Sequence, residues 1–346
     1  MANHLATVQV VEEVLPHGNA DSLEISKVLG WYVITKKGEF KVGDRCVYVQ
    51  VDSIMPEKPE FEFLRDRGFR VRTIKLRGTY SQGICFPTSI LPAGSYGAGT
   101  DVTEIIGVKK YEKGTPGEPS EPHVKKGFFA KWYSYLKWRF WGVFGYYRPN
   151  GDFPTDVVSK TDEDRIQGCP HMLGKFRGKS CYVTIKHDGT SATFIKQKAL
   201  RVCSRNRELA LDDGVYWQMA KKYNLSRIPS GYTVQAEIVG PKIQGNPEGL
   251  KEPEIRVFNV YLNRNALAYS DLLTFCQEYG LPTADLFYIG DFRWESIPEI
   301  MAEVAKARYK NNTQAEGLVF RLCEPYCGKL PSFKAVSPEY CFKHGE

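Results

Sequence analysis

Residues 181–191 read C-Y-V-T-I-K-H-D-G-T-S, a β-rich run that ends at Lys186 and passes into the tetrapeptide K-H-D-G. Side chains alternate along a strand, so Tyr182, Thr184 and Lys186 share one face and the lysine stands at the strand's end. Taken alone, the D-G pair is an ordinary hairpin turn. The pattern therefore predicts a hairpin in which residues 187–190 join two neighbouring strands.

The chain from residue 151 onward mixes strands and helices without regular alternation. Further strands are predicted at 192–195, 200–204, 232–238, 255–262, 317–322 and 332–336. Helices are predicted at 270–279, with Ser270 as N-cap and Gly280 after its end, and at 296–309, with a capping box from Ser296 to Glu299. A less regular pattern predicts a third helix at 209–223. The order of elements indicates an α+β domain with antiparallel sheets.

The first 105 residues have a different character, with short β-like runs at 7–11, 23–28, 31–34, 45–51 and 83–86. No long helical period interrupts them, which predicts a small β-barrel. Residues 107–126 are dense in Gly, Pro, Lys and Glu, a linker composition. We therefore divide the chain into a module at 1–105, a connecting segment at 106–150 and a second domain at 151–346.

Composition limits where and how the protein works. Lys and Arg outnumber Asp and Glu by 47 to 40, a basic balance that suits a polyanionic partner but is shared by many metabolic enzymes. Nine scattered cysteines without a C-x-x-C pair argue against a disulfide framework and favour a reducing intracellular compartment, cytoplasmic or nuclear. The first residues contain no apolar secretory signal.

Residues 128–147 are the most membrane-like stretch, reading F-F-A-K-W-Y-S-Y-L-K-W-R-F-W-G-V-F-G-Y-Y. Lys131, Lys137 and Arg139 interrupt the stretch, and its apolar residues are mostly aromatic, so it does not suit a membrane-spanning helix. An aromatic helix or strand between two domains is the favoured interpretation, and an interfacial helix is the alternative. We expect no membrane partner and a monomer.

The order of short motifs in the second domain resembles the covalent nucleotidyltransferase superfamily of DNA ligases, RNA ligases and mRNA capping enzymes. After K-H-D-G the chain carries C-S-R-N-R-E-L (203–209), A-E-I-V-G (236–240), R-V-F-N-V-Y (256–261), E-G-L-V-F-R (316–321) and S-F-K-A-V-S (332–337). Upstream, K-T-D-E-D-R-I-Q (160–167) is similar to the opening of this domain in family 5 RNA ligases. Each motif falls on or beside a predicted strand.

The resemblance implies a chemistry in which Lys186 attacks the α-phosphorus of ATP to form a lysyl-AMP phosphoramidate. Deprotonating an ordinary lysine at pH 7 costs about 4–5 kcal/mol, so nearby positive charge must lower its pKa. By resemblance, three carboxylates would hold Mg²⁺ or Mn²⁺, partly through water, and they are Asp188, Glu237 and Glu316. From the residues alone, Asp188 is equally a turn residue. Glu237, inside an apolar strand, requires a cation to face it.

The other implied roles belong to ATP binding. Arg165 would contact the triphosphate, Arg205 the ribose or reacting phosphates, Lys334 the α-phosphate in the transition state, and Phe258 would stack on adenine. Arg205 is also consistent with a solvated charge and Phe258 with a core position. Many relatives have K-x-K where this chain has a single Lys334 in S-F-K, and Lys329 and Lys343 remain second candidates.

The position of the β-rich module distinguishes between the protein families that the motif order resembles. DNA ligases and capping enzymes carry an OB domain after the last motif, whereas this chain has its β-rich module first, as family 5 RNA ligases do. Residues 15–24 and 40–49 look like the start of an OB-fold, and the basic residues of 65–77 are either a phosphate-binding track or a solvated hairpin.

The sequence therefore indicates an ATP-dependent RNA ligase that joins a 3′-hydroxyl to a 5′-phosphate, acting on RNA or on an RNA-containing nicked duplex. A DNA ligase, a GTP-dependent capping enzyme and a non-catalytic OB-fold nucleic-acid binder are the alternatives.

Overall fold

The computed structural model describes residues 4–111, 151–212 and 214–345. The proposed linker beyond residue 111 and the aromatic stretch 128–147 lie outside these residues. Within them, no helix is long and apolar enough to cross a membrane. The α+β class predicted from the sequence is confirmed, with a β-rich N-terminal module followed by a domain of antiparallel sheets.

The N-terminal module is built from ten short strands. They are β1 (Ala6–Pro16), β2 (Leu23–Val28), β3 (Trp31–Lys36), β4 (Arg45–Val49), β5 (Ser53–Ile54), β6 (Arg70–Val71), β7 (Ile74–Leu76), β8 (Thr79–Ser81), β9 (Ile84–Pro87) and β10 (Lys109–Lys110). A helix α1 (Thr103–Ile106) and 3-10 turns at Pro59–Arg67 and Thr88–Ile90 connect them.

The main sheet of the module has the order β3-β2-β1-β4-β9 and curls towards closure. Gln82, just before β9, donates its backbone N–H to Tyr32 in the opposite edge strand β3 at 3.0 Å. Along β4, Cys46 and Tyr48 enter one apolar cluster while Val47 and Val49 enter another. Both faces of this strand are buried, because alternate side chains point to opposite sides of the pleat.

The second domain begins with β11 (Gly151–Asp152) and contains two sheets. Its other strands are β12 (Ser180–Lys186), β13 (Thr190–Lys196), β14 (Leu200–Cys203), β15 (Arg207–Leu209), β16 (Tyr232–Val239), β17 (Glu254–Leu262), β18 (Asn265–Ala266), β19 (Leu286–Asp291), β20 (Gly317–Leu322) and β21 (Ser332–Val336). Its helices are α2 (His171–Phe176), α3 (Val215–Lys222), α4 (Tyr269–Tyr279), α5 (Ile297–Val304) and α6 (Pro338–His344), with 3-10 turns at Ile166–Gly168 and Leu225–Arg227.

One sheet has seven strands in the order β11-β15-β14-β13-β16-β17-β18, and the other has four in the order β19-β12-β20-β21. The seven-stranded sheet packs its outer face on α3 and α4, and the four-stranded sheet packs its outer face on α2, α5 and α6. Residues 282–285 tie the two together: Val257 N–H donates to Pro282 and Ile185 N–H donates to Asp285, both at 2.8 Å. The two inner faces enclose the cleft described below.

The predicted hairpin at residues 187–190 is wrong. Strand β12 pairs with β19 and β20, whereas β13 pairs with β14 and β16, so the K-H-D-G turn carries the chain from one sheet to the other. A local D-G signal cannot distinguish these outcomes, because both pairing partners of β12 lie about 100 or more residues away in sequence. The predicted alternation holds, since Val183 and Ile185 enter the outer core while Tyr182, Thr184 and Lys186 face inward.

The predicted helices form with shifted boundaries. The first begins at Tyr269 with Ala268 as N-cap, so Ser270 is inside the helix, and it ends before Gly280 with φ 65°. The second ends at Val304, and the Ser296 hydroxyl donates to the Glu299 carboxylate instead of accepting from the backbone. The third is only Val215–Lys222, because Leu209 belongs to β15. Helix α6 follows directly after the last motif.

Candidate active site

Lys186 ends β12 on the inner face and lies against a buried carboxylate. Its ammonium is 2.6 Å from Glu316 Oε2, and Glu316 is only 6% exposed. Glu316 immediately precedes β20, whose Gly317 pairs with Lys186 across the sheet. A Cβ at Gly317 would lie 2.2 Å from the Ala335 carbonyl, so the glycine of the E-G pair lets β20 and β21 approach closely.

Glu237 reaches the same place from the opposite sheet. Its carboxylate makes no hydrogen bond or ion pair with any residue in the described ranges, although it lies on β16 among apolar neighbours. Burial, together with the negative charges of Glu316 and Asp188, raises the pKa of its carboxyl to about 8, although the nearby Lys186 opposes the shift. A carboxyl in this environment takes up a proton unless a cation stands beside it.

The absence of a side chain at Gly189 lets the K-H-D-G turn lie close to Glu237. A Cβ there would lie 2.2 Å from the Ile238 carbonyl and 2.9 Å from Glu237 Cγ. The glycine is therefore required by the close approach of the turn to β16, and not by a special turn conformation. Burial also raises the pKa of Glu316, an effect that Lys186 counteracts.

Two tyrosines that the motif comparison missed hold this turn. The Tyr309 hydroxyl contacts Lys186 O and Asp188 N at 3.3 Å and Glu316 N at 3.1 Å, which joins the lysine and glutamate motifs through one group. The Tyr340 hydroxyl lies 2.6 Å from Asp188 Oδ2. Burial and the adjacent Asp188 charge raise the pKa of Tyr340, which keeps its hydroxyl protonated as a donor.

His187 anchors the turn on its other side. Its Nε2 accepts the Asp285 backbone N–H at 3.3 Å, which leaves Nδ1 to donate to Glu248 Oε1 at 2.7 Å. Glu248 also lies 3.4 Å from Arg256. His187, the second residue of K-H-D-G, therefore makes buried structural contacts.

Lys334, on β21, shares the inner face with Lys186 because Val319 pairs with Lys334 on one side and with Thr184 on the other. In the part of the chain that the structure describes, its ammonium forms no ion pair within 4 Å. Burial lowers the pKa of Lys334, and repulsion from Lys186 and Arg165 lowers it further. The second candidates lie elsewhere: Lys329 is in an exposed turn, and Lys343 pairs with Glu339 at 2.7 Å on α6.

Phe258 occupies a β-bulge. Gln235 pairs with Asn259 and Ala236 with Val257, so Phe258 is the extra residue of β17. A bulge re-aims the side chain it contains, and the Phe258 ring lies 5.3 Å from the Arg321 guanidinium of the opposite sheet. The ring is therefore in the cleft, where apolar alternation alone would have placed it in the core. Nearby, the buried hydroxyls of Tyr182 and Thr193 and the Asn259 side-chain carbonyl have no hydrogen-bond partner among the described residues.

Residues 159–167 run along the mouth of the cleft, and their contacts reach both sheets and the N-terminal module. These contacts are Ser159 O with Gln235, Lys160 with Asn206, Thr161 with Ser191, Asp162 with Arg205, Glu163 with Arg321, Asp164 O with Lys334 N, Arg165 with Asp52 and Gln167 O with Gly30 N. The motif at 160–167, predicted to open the second domain, therefore contacts both walls of the cleft and the N-terminal module.

The two predicted arginines lie at the rim. Arg205 is half-exposed and paired with Asp162, which itself lies 3.8 Å from Lys110. Arg165 reaches Asp52 of the N-terminal module at 3.2 Å and lies over the Trp31 ring at 5.9 Å. Arg165 therefore lies at the contact between the module and the second domain, a position that no sequence pattern indicated.

The site offers oxygen donors suited to a divalent cation. Asp188, Glu237 and Glu316 lie close together. A cation bound there would neutralise the charge of the Glu237 carboxylate, which has no side-chain partner among the described residues. Within the described ranges, no three acidic, cysteine or histidine side chains are close enough to hold a metal ion without other ligands. A cation there would require water molecules to complete its coordination.

Comparison with known proteins finds a matching family model for each of the two parts of the chain. Residues 5–88 match an OB-fold domain model, and residues 179–336 match a model described as RNA ligase. A search of curated protein sequences finds no significant match.

Solved structures of the RNA ligase of Naegleria gruberi resemble the chain over its whole length. A variant with AMP and Mn has 29% identity and a TM-score of 0.82, covering 99% of each chain. A variant with ATP and Mn has 29% identity and a TM-score of 0.81 with the same coverage. The enzyme with PPi has 30% identity and a TM-score of 0.80, again covering 99% of each chain.

Proposed function

The chain belongs to the RNA ligase family, and from this premise we propose that it is an ATP-dependent RNA ligase whose nucleophile is Lys186. The observation that supports the proposal best is the Lys186–Glu316 contact of 2.6 Å at the centre of a cleft whose opposite wall carries the unpartnered Glu237. A nucleic-acid-binding module without catalysis would not need these buried charges, which are costly unless a ligand compensates them.

In the first step, the Lys186 amine attacks the α-phosphorus of ATP. The N–P bond forms, the bond to the pyrophosphate oxygen breaks, and pyrophosphate leaves with the electron pair. The ammonium proton must leave first, and Glu316 is a carboxylate within hydrogen-bond reach that can accept it. AMP then passes to a 5′-phosphate end, and a 3′-hydroxyl attacks that phosphate and expels AMP.

Other side chains bind and orient the nucleotide. We assign stacking on adenine to Phe258, charge balance at the α-phosphate to Lys334, and contacts with the ribose or phosphates to Arg205. Asp188, Glu237 and Glu316 would hold Mg²⁺ or Mn²⁺, which when bound supplies positive charge at the reacting phosphate. Arg165, assigned to the triphosphate, contacts Asp52 at 3.2 Å, and its charge is close enough to Lys334 to lower the pKa of that lysine.

Nucleotide labelling tests the proposal. The protein is incubated with Mn²⁺ and α-³²P-labelled ATP or, separately, GTP, and is then analysed on a denaturing gel. Covalent label from ATP alone is expected. Label from GTP alone would indicate a capping enzyme, and no label from either would favour the non-catalytic nucleic-acid binder.

The substrate ends form the finer part of the proposal. We expect the 3′-hydroxyl strand to be RNA at the junction, because a ribonucleotide's 2′-hydroxyl and A-form geometry help align the attacking oxygen. The 5′-phosphate strand presents only its phosphate, and DNA should be tolerated there. Nicked duplexes with an RNA 3′ end should be sealed at least about tenfold faster than all-DNA nicks, or about 1.4 kcal/mol. Equal sealing rates on the two kinds of nick would favour the DNA-ligase alternative.

The division of labour between domains is also a proposal. We assign nucleic-acid binding to the OB-fold module at 1–105, connection to 106–150 and catalysis to 151–346. Deleting residues 1–125 should leave a folded domain that seals pre-adenylylated ends but binds nucleic acid weakly. Unchanged binding with an unchanged salt dependence would contradict the role of the module.

A further inference from the structure

Helix α6 brings a tyrosine into the active site from outside the family motifs. The helix begins directly after β21, and its Tyr340 and Asp188 are 2% and 8% exposed. The Tyr340 hydroxyl lies 2.6 Å from Asp188 Oδ2. An ionised carboxylate only accepts hydrogen bonds, so Tyr340 is the donor.

Tyr340 is itself held in one orientation. Its backbone N–H donates to the Ser337 hydroxyl at 3.2 Å, and its ring stacks on His344 at a centroid distance of 4.0 Å and an angle of 12°. On the other side of the contact, the Asp188 backbone N–H meets the Tyr309 hydroxyl at 3.3 Å. Asp188 is therefore fixed both through its backbone and through one carboxylate oxygen.

We propose that Tyr340 is a positioning residue that holds Oδ2 of Asp188 and directs Oδ1 towards the metal or its water ligands. The inference rests on the proposed function, which places a divalent cation near Asp188. Partners that orient a metal-binding carboxylate restrict its rotation, and removing such a partner typically weakens metal binding about 10- to 100-fold. Because Tyr340 acts on the metal through Asp188, it does not itself need to contact the nucleotide or the metal.

A purely structural role for the same contact makes a different prediction. If Tyr340 only attached α6 to the domain, losing its hydroxyl would lower the thermal unfolding midpoint and leave metal affinity unchanged. If it positions Asp188, metal affinity falls even in a folded variant. Metal binding, measured separately from activity, distinguishes the two roles.

The test compares Tyr340→Phe with Tyr288→Phe in the full chain. Tyr288 donates to the Asp291 carbonyl at 2.8 Å on β19, so the control also loses one tyrosine hydrogen bond, outside the cleft. Mn²⁺ binding is measured by electron paramagnetic resonance in the presence of α,β-methylene ATP, and thermal unfolding is recorded alongside. We expect Tyr340→Phe to bind Mn²⁺ about tenfold more weakly and the control to stay within twofold of wild type.

Two further variants keep the test decisive. His344→Ala removes an exposed ring stacked on Tyr340 while retaining its hydroxyl, and it should weaken Mn²⁺ binding by a smaller factor of about threefold. In a double-mutant cycle, Tyr340→Phe added to Asp188→Asn should have little further effect, because both changes remove the same oriented carboxylate. Additive losses would contradict action through Asp188.

The inference is overturned if folded Tyr340→Phe, or His344→Ala should the first variant not fold, binds Mn²⁺ as wild type does. It is also overturned if the wild-type protein binds no Mn²⁺. Labelling of wild-type protein by ATP decides the proposed function separately, so a ligase that labels normally but shows no Tyr340 effect would refute this inference alone.

Discussion

The two sheets of the second domain present opposite chemistry to the cleft. The inner face of the four-stranded sheet carries cations, namely Lys186, Lys334 and Arg321. The inner face of the seven-stranded sheet carries Glu237, the neutral polar side chains of Thr193 and Asn259, and the re-aimed ring of Phe258. On their outer faces the sheets are alike, because both are packed on apolar clusters under helices.

This difference indicates how a nucleotide would be accommodated. Burial, with added repulsion from Lys186, lowers the pKa of Lys334 on one wall, and burial raises the pKa of Glu237 on the other. Within the described ranges, neither the Lys334 ammonium nor the Glu237 carboxylate has an ion-pair partner. A ligand with anionic phosphates and a bound cation would compensate both, with phosphates near the lysines and the cation near the carboxylates.

The largest expected effect is on the cationic wall. Lys186→Ala should lower formation of the covalent adenylate by at least about a thousandfold, because no other amine replaces the nucleophile. Measurement is by labelling with α-³²P-ATP, with Lys329→Ala as a control in an exposed turn. Wild-type labelling of the Lys186 variant would remove the central assignment.

Lys334→Ala tests whether the second lysine of that wall acts on the reacting phosphate. Loss of a preorganised charge typically reduces the rate of the chemical step about 100- to 1,000-fold. Adenylation rates at saturating ATP measure it, with Lys343→Ala for comparison because Lys343 is paired with Glu339 on the surface. If Lys343→Ala were impaired and Lys334→Ala were normal, the last motif would be misassigned.

The acidic wall can be tested by pH. A glutamate titrates near 4.3 in the unfolded chain, whereas the folded pKa of Glu237 is about 8. Between these values the folded state holds a proton that the unfolded chain loses, so Glu237 makes the protein less stable as pH rises, with no further loss above pH 8. The excess unfolding free energy of Glu237→Gln over wild type should therefore grow across this window, to on the order of 5 kcal/mol.

Urea unfolding without nucleotide or metal, at several pH values from 5 to 9, measures this difference. Glu324→Gln, an exposed substitution, is the control. A difference between Glu237→Gln and wild type that is the same at every pH would show that Glu237 does not titrate in this range.

The smallest expected effect concerns the aromatic part of the second wall. Phe258→Ala should raise the KM for ATP about fivefold, since a lost stacking contact is worth roughly 1 kcal/mol, while Phe258→Tyr should stay near wild type. Steady-state adenylation measures both. If Phe258→Ala instead lowered stability without changing KM, the ring would be acting as core, the role that strand alternation alone suggests.

Much of the cleft was predictable because strand alternation is local. The sequence around Lys186 indicated which side chains share its face, and the order of short motifs indicated that Asp188, Glu237, Glu316 and Lys334 belong to one site. The rest depended on pairing between distant segments. The K-H-D-G turn was predicted to close a hairpin, although it joins two sheets whose partner strands come from as far away as residue 322.

The sequence by itself determined the fold class, the module order and the residue types of a covalent nucleotidyltransferase, because periodicity and motif order are properties of the chain alone. Only the tertiary structure decided that Tyr309 and Tyr340 hold the Lys186–Asp188 turn, that a bulge turns Phe258 into the cleft, and that Arg165 meets Asp52 of the N-terminal module. Each is a contact between residues that are distant in sequence, and a lone tyrosine or arginine carries no local pattern that names its partner.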